Sequence, residues 1–272
     1  MGKVYLLSTI NTDRLLSLTA SEEIATFEVE NLQDPLPTAR WRSTGLTPYV
    51  VGQFAEAVTI DFWGAWYVNA RAGDQARLRL ASSQGGLTAA PDLDTGMLDV
   101  QPGTANLDDW FGPGQLGYVH QRSKIAAADQ VSGTWFRIDF DFTGNSDGYV
   151  QAGALFLATM LEPTRGAEPG WEYRPVNRGM HEVSYAAGGT GRGGGGQRRD
   201  VVFKIRRMTE ANASGVINPL LRERAGVLPV GIVLDESDDY PMDHMFFGYL
   251  DARAVPNTFL RNYSLDAQIT EP

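Results

Sequence analysis

The nine residues Thr134-Trp135-Phe136-Arg137-Ile138-Asp139-Phe140-Asp141-Phe142 constrain the fold more than any other stretch. In an extended chain Phe136, Ile138, Phe140 and Phe142 fall on one face, with Arg137, Asp139 and Asp141 on the other. A period of two with large apolar residues on one side marks a strand that has one face in a core and one in water. The chain must therefore build at least one sheet and pack something against it. Gly144-Asn145-Ser146-Asp147-Gly148 follows as a turn, and Tyr149 to Leu157 reads as the strand that returns beside the first. This hairpin is expected at the centre of the first domain.

A second stretch bears on how such a sheet is closed. In Asp34-Pro35-Leu36-Pro37 the two prolines fix φ and withhold backbone donors, so this part is neither a helix interior nor a central strand. Trp41 follows, a large apolar body with an N–H that needs a partner. Arg40 and Arg42 are expected to lay their stems over it while their charges stay in water. The reading is a plug that closes one end of a β-sandwich. Beyond it Val58, Ile60 and Phe62 alternate with Thr59 and Asp61 as in a half-buried strand.

Composition agrees with a β-rich chain of two domains. With 272 residues, 30 Gly and 14 Pro, the protein has room for two cores and many turns. Residues 3–10, 24–29 and 76–80 read as further strands, and residues 82–115 as a long loop wrapped on the sandwich. Gly166, Pro169, Gly170 and Pro175 interrupt every period, which places a boundary near residue 165: a first domain over 1–165 and a second over 166–272. The second carries a glycine-rich hairpin tip, with seven Gly in residues 188–196, then a strand at 201–208 with a basic outer face. A helix is expected at about 210–224, capped by Thr209 and interrupted by Pro219. Strands at 230–234, 246–250 and 263–269 complete an α+β domain.

Charge and cysteine content narrow the function classes. The formal net charge is −10, and residues 1–170 hold 11 basic against 20 acidic side chains. Phosphate-backbone binding needs clustered Lys and Arg, so nucleic acid is not an expected partner. There is no cysteine, which removes disulfides and thiolate chemistry. No secretory leader and no run of 18 apolar residues is apparent, so no membrane span is expected.

No catalytic signature is present: there is no nucleophile elbow, no phosphate loop and no zincin pair. His120, His181 and His244 lack metal-ligand spacing. The acidic run 235–243 invites Ca²⁺ but lacks the Gly and terminal Glu of an EF-hand loop, and 141–148 invites it no more strongly. No cofactor, metal or catalytic residue is therefore assigned. Trp63, Trp66 and Tyr67 lie close enough in sequence to form a sugar-stacking platform or part of an interface, although alternation would bury at least one of them.

Two resemblances add to this reading. Asn31-Leu32 through Trp41-Arg42-Ser43 to Ile60-Asp61-Phe62 resembles the front half of discoidin-like, galactose-binding jelly rolls. Those blocks together with Ala152-Gly153-Ala154-Leu155-Phe156, Glu162-Pro163, Gly170-Trp171-Glu172-Tyr173 and residues 198–235 resemble tail-tip and baseplate proteins of tailed bacteriophages. The final domain is similar in its order of elements to the tail-tube and distal-tail fold, a split β-barrel with one helix. The resemblance implies a mainly β protein, a jelly-roll-like sandwich plus a smaller α+β split barrel. It further implies a non-enzymatic distal tail protein of the virion, assembled in the host cytoplasm as a homo-oligomeric ring, hexamer or trimer. Its partners would be the tail tube, the baseplate hub and the tail fibres. The alternative it implies is a receptor-binding protein of the tail that holds a host glycan.

Overall fold

The computed structural model describes residues 5–8, 15–34, 39–60, 62–65, 68–71, 73–100, 132–161, 172–177, 181–184, 190–193, 197–224, 228–233, 245–257 and 262–270. The chain is mainly β and divides into two units, one of residues 9–160 and one of residues 1–8 with 161–272. The first strand, β1 (Tyr5–Ser8), was expected in the N-terminal domain. It belongs instead to the other unit, where it pairs antiparallel with a late strand. Local pattern cannot reveal that a strand's partner lies more than two hundred residues away. No helix among the described residues is long and apolar enough to cross a membrane.

The unit of residues 9–160 holds β2 (Leu15–Ala20), β3 (Trp41–Arg42), β4 (Tyr49–Thr59), β5 (Phe62–Ala65) and β6 (Gln75–Ala81). After these come β7 (Leu93–Asp94), β8 (Leu98–Asp99), β9 (Ser132–Asp141), β10 (Gln151–Ala152) and β11 (Leu155–Leu161). Six of them form one antiparallel sheet in the order β2-β4-β9-β6-β7, with β8 also on β6. Alternation assigns its faces. Val50, Phe54, Ala76, Leu78, Leu80, Phe136, Ile138 and Phe140 point inward and are buried together. Across this core lie the short pairs β3-β10 and β5-β11, which add Trp41, Trp63, Ala65, Ala152, Leu155 and Leu157. The Trp41 ring meets Phe140 at 5.8 Å between centroids. This is a β-sandwich, with Trp41 plugging it as expected: the side chain is fully buried and its Nε1–H donates to the Glu22 carbonyl at 3.2 Å. Nearby, Asn31 Nδ2 donates to the Arg40 carbonyl at 2.9 Å and ties the two sides of the proline segment together.

Three expectations need correction here. Strand β9 is central, but the segment after it is not its hairpin partner; β9 pairs with β4 and β6, while β10 and β11 cross to the other layer. The connecting turn explains the change of layer. Gly148 has φ +80, a conformation disfavoured for L side chains, and Asn145 anchors the corner through Nδ2 to the Asn69 carbonyl at 2.6 Å. The strand expected at 24–29 is a single bridge, Ile24 to Phe27, followed by a 3-10 turn over Val29–Gln33. Arg42 turns away from Trp41, as neighbours in a strand must, and its guanidinium lies over Phe27 at 4.0 Å with Nε on Gln151 Oε1 at 2.7 Å.

The other unit contains β12 (Glu172–Asn177), β13 (His181–Ser184), β14 (Thr190–Gly193), β15 (Gln197–Met208), β16 (Pro229–Val233), β17 (Met245–Asn257) and β18 (Asn262–Thr270). Its sheet runs β12-β15-β18-β17-β16-β1, and β13 pairs with β14, so part of the glycine tract expected as a hairpin tip is itself a strand, while β15 pairs with β12 and β18. The helical segment comes in pieces: Glu210–Asn212, a π turn over Ala213–Ile217, and Asn218–Arg224. Pro219 has no N–H and its ring would clash with the preceding turn, and a wide turn just before it relieves both. Ile217, Leu220 and Leu221 pack with Val201, Phe203, Ile205, Ile232, Phe246 and Leu265 into one core.

Candidate functional site

The sequence-derived candidates separate once placed. Trp63 on β5 is 1 % exposed and sits in the sandwich core, so it offers no face for a sugar or a partner. Its indole N–H is buried and has no acceptor among the described residues. Trp66 and Tyr67 lie outside the described residues. So do the acidic run 235–243, His120 and His244.

The acidic turn 141–148 is described, and its polar groups serve each other. Asp147 accepts from Arg71 Nη2 at 2.8 Å and from Asn69 Nδ2 at 3.0 Å. Asn145 Oδ1 accepts from the Asp147 N–H, and Asn145 Nδ2 also reaches Asp74 Oδ2 at 3.2 Å. Asp74 is 2 % exposed, and its Oδ2 also accepts the Arg71 N–H at 2.7 Å. Burial pushes its carboxyl above the ordinary value of 3.8, against the opposing pull of those hydrogen bonds. Among the described residues no three metal-ligating side chains gather. The network acts as a structural corner.

A different surface gathers accessible chemistry, the outer face of β4, β9 and β6. Antiparallel register sets Asp139 between Tyr49 and Arg77, Arg137 between Val51 and Arg79, and Trp135 between Gln53 and Ala81. All of these are the alternates of core residues, so they project away from the core. Asp139 stands between two guanidinium groups. Its Oδ2 takes Arg79 Nη2 at 2.5 Å and Nε at 3.2 Å; its Oδ1 takes Arg137 Nη2 at 2.6 Å and Nε at 2.7 Å. The remaining terminal nitrogen of Arg79 donates to the Leu87 carbonyl at 2.9 Å, which fastens the short helix Gly86–Ala89 over one side of the face. The Arg137 guanidinium lies 3.7 Å from the centre of the Tyr49 ring. Trp135 and Tyr49 are half-buried against Val51, Ala81 and Leu87. At the sheet edge Arg77 pairs with Asp94; that contact holds the Asp94 carboxyl below its ordinary value and raises the Arg77 guanidinium.

Four polar groups on this face have no hydrogen-bond partner among the described residues: the Tyr49 hydroxyl, the Gln53 amide, the Trp135 indole N–H and Arg137 Nη1. Planar donors and acceptors beside aromatic surface, held rigidly on three strands, are the equipment of a recognition site for small polar ligands. Sequence reasoning passed over these residues. The signal was present in Trp135-x-Arg137-x-Asp139 on the polar side of the strongest strand, but Tyr49, Gln53 and Arg79 join it only through register.

No known family model and no curated protein matches the chain. Solved structures similar to it include CBM32 of AlyQ in complex with 4,5-unsaturated mannuronic acid, at 18 % identity and TM-score 0.34 over 53 % of this chain and 94 % of that one. The family 32 CBM of NanJ from C. perfringens, in complex with galactose, is similar at 10 % identity and TM-score 0.38 over 57 % and 99 %. Reduced XRCC1 bound to the catalytic domain of DNA polymerase β is similar at 18 % identity and TM-score 0.40 over 53 % and 95 %. At these levels of similarity none of the three assigns a ligand or a binding residue to this chain.

Proposed function

We propose that the chain is a non-catalytic recognition protein whose sandwich binds carbohydrate on the outer face of β4, β9 and β6. The observation that carries this reading is the set of unengaged polar groups of Tyr49, Gln53, Trp135 and Arg137 beside half-buried aromatic surface. Sugars present apolar ring faces and rings of hydroxyls, and such a surface complements both. In the setting that the sequence resembles, the protein is a receptor-recognition component of a phage tail, and the unit of residues 1–8 and 161–272 serves attachment to its neighbours. The test is a glycan array probed with the full chain. Selective binding that is lost in Trp135→Ala while the unfolding midpoint stays within a few degrees is the expected result. Wild-type protein that binds no glycan overturns it.

A second reading has its own support: blocks resembling tail-tip proteins occur in both units, not in the sandwich alone. In that reading the protein is a ring-forming adaptor between tail tube and hub. Electron microscopy of purified particles that places six or three copies at the tail end, together with an array free of glycan binding, would favour it.

A further inference from the structure

We infer that the ligand of the outer face carries a carboxylate: an acidic saccharide of the uronic acid kind, with Arg137 as the residue that reads the acid. The inference rests on the carbohydrate reading above and names its ligand class.

The charge around Arg137 points to an anion. Arg79 and Arg137 share the single carboxylate of Asp139, so this cluster of three carries one positive charge, and the Arg77–Asp94 pair next to it is neutral in sum. Asp141, on the same outward face two positions beyond Asp139 and away from Trp135, balances the face as a whole, so the excess is local to the Trp135 side of the cluster. The surplus is also partly withdrawn from water, with side-chain exposures of 11 % for Arg79, 20 % for Arg137 and 13 % for Asp139. A guanidinium so placed interacts strongly with an added anion because solvent competes weakly.

Geometry separates the two arginines. Arg79 is spent, with Nε and Nη2 on Asp139 and Nη1 on Leu87. Arg137 keeps Nη1 without a partner among the described residues and is held in place by Asp139 on one side and the Tyr49 ring on the other. A pre-set guanidinium suits the planar fork of a carboxylate. Trp135 projects from the same face two residues away, about 7 Å along the strand, which is about the width of one sugar ring. Gln53 stands directly opposite Trp135. A pyranose lying on Trp135 would place its hydroxyls at Gln53 and its carboxylate at Arg137.

The experiment is calorimetric titration of the full chain with a defined oligogalacturonate and with its fully methyl-esterified form. The two have the same ring skeleton and differ in charge. The acid is expected to bind about tenfold or more tightly than the ester, the range set by one charge-assisted hydrogen-bonded contact. Arg137→Gln should erase that preference, bringing acid and ester to the same affinity, and Arg137→Lys should restore part of it, since charge returns without the fork. Circular dichroism of both variants checks that the sandwich is intact. Equal binding of acid and ester overturns this inference and leaves carbohydrate recognition standing; so does a sulfated oligosaccharide without uronic acid that binds as tightly as the uronate. Failure of both saccharides to bind overturns this inference, and a glycan array free of binding overturns the carbohydrate reading along with it.

Discussion

Strands β4, β9 and β6 have two faces written by alternate residues, and the two differ in kind. Inside, Phe136, Ile138 and Phe140 meet Val50, Phe54, Leu78 and Leu80 in a dry core. Outside, one residue away in each case, Trp135, Arg137 and Asp139 meet Tyr49, Gln53 and Arg79 in a half-wet array of charges and rings. The inner face gains its free energy from area removed from water and from close packing. In the ion pairs outside, which are mostly buried, the attraction is largely offset by the cost of taking both charges out of water. What the outer face holds is orientation: Asp139 and Tyr49 fix Arg137 so that little rotamer freedom remains to be lost on binding. In the proposed reading, one sheet separates stability from recognition by parity alone.

The comparison breaks most visibly at Trp41, which faces the inner side from the opposite layer. Trp41→Ala should destabilise the sandwich by about 3–5 kcal/mol in chemical denaturation, because it leaves a cavity and also strands the Glu22 carbonyl. A loss below 1 kcal/mol would mean that the sandwich is not closed at this end as described. Gly52 is a sharper probe. It is an inner-face position of β4, and an added Cβ would run into the Phe136 ring at Cε1 and Cζ. Both are buried, so the ring must shift, and Gly52→Ala should cost about 1–3 kcal/mol while saccharide selectivity stays as it was.

Asp74 gives the smallest effect, and its sign is set by pH. The folded carboxyl titrates above the unfolded one, so folding costs nothing extra when both are protonated. As pH rises through the window between the two values the unfolded state ionises first and stability falls; above the window the cost is constant. Asp74→Asn keeps an oxygen for the Arg71 N–H and Asn145 Nδ2 and removes the charge. Its unfolding midpoint relative to wild type should be more favourable at pH 7 than at pH 3.5. A difference that does not change with pH would show that ionisation of Asp74 is not coupled to folding.

How far the sequence foretold this depends on whether the relevant partner is local. Alternation at 134–142 revealed both faces of β9 correctly, since each residue's side follows from its neighbours alone. Trp41 was legible as a buried plug because it is the one aromatic between Phe27 and Tyr49, so no other ring competes for the place. The partner of β9 was not legible. The short turn after Phe142 has the composition of a hairpin, and only Asn145 bonding back to Asn69 and Asp74 shows that it is a corner between layers. The candidate site shared that fate. Trp63, Trp66 and Tyr67 stood out through proximity in sequence, whereas Tyr49, Gln53, Arg79 and Arg137 are brought together by pairing across 58 to 90 residues. In the other unit β15, β16, β17 and β18 were readable as strands, but the place of β1 beside β16 was not.

Trp135 and Phe136 are adjacent in sequence and lie on opposite faces, so substituting each by alanine tests the separation most directly. Saccharide binding and denaturant unfolding would be measured on both variants. The predicted result is a crossed one: Phe136→Ala loses about 3–5 kcal/mol of stability, and under conditions where it remains folded it still binds. Trp135→Ala keeps most of its stability and does not bind. If both variants lose stability alike and neither, or both, retain binding, the two faces do not divide the work.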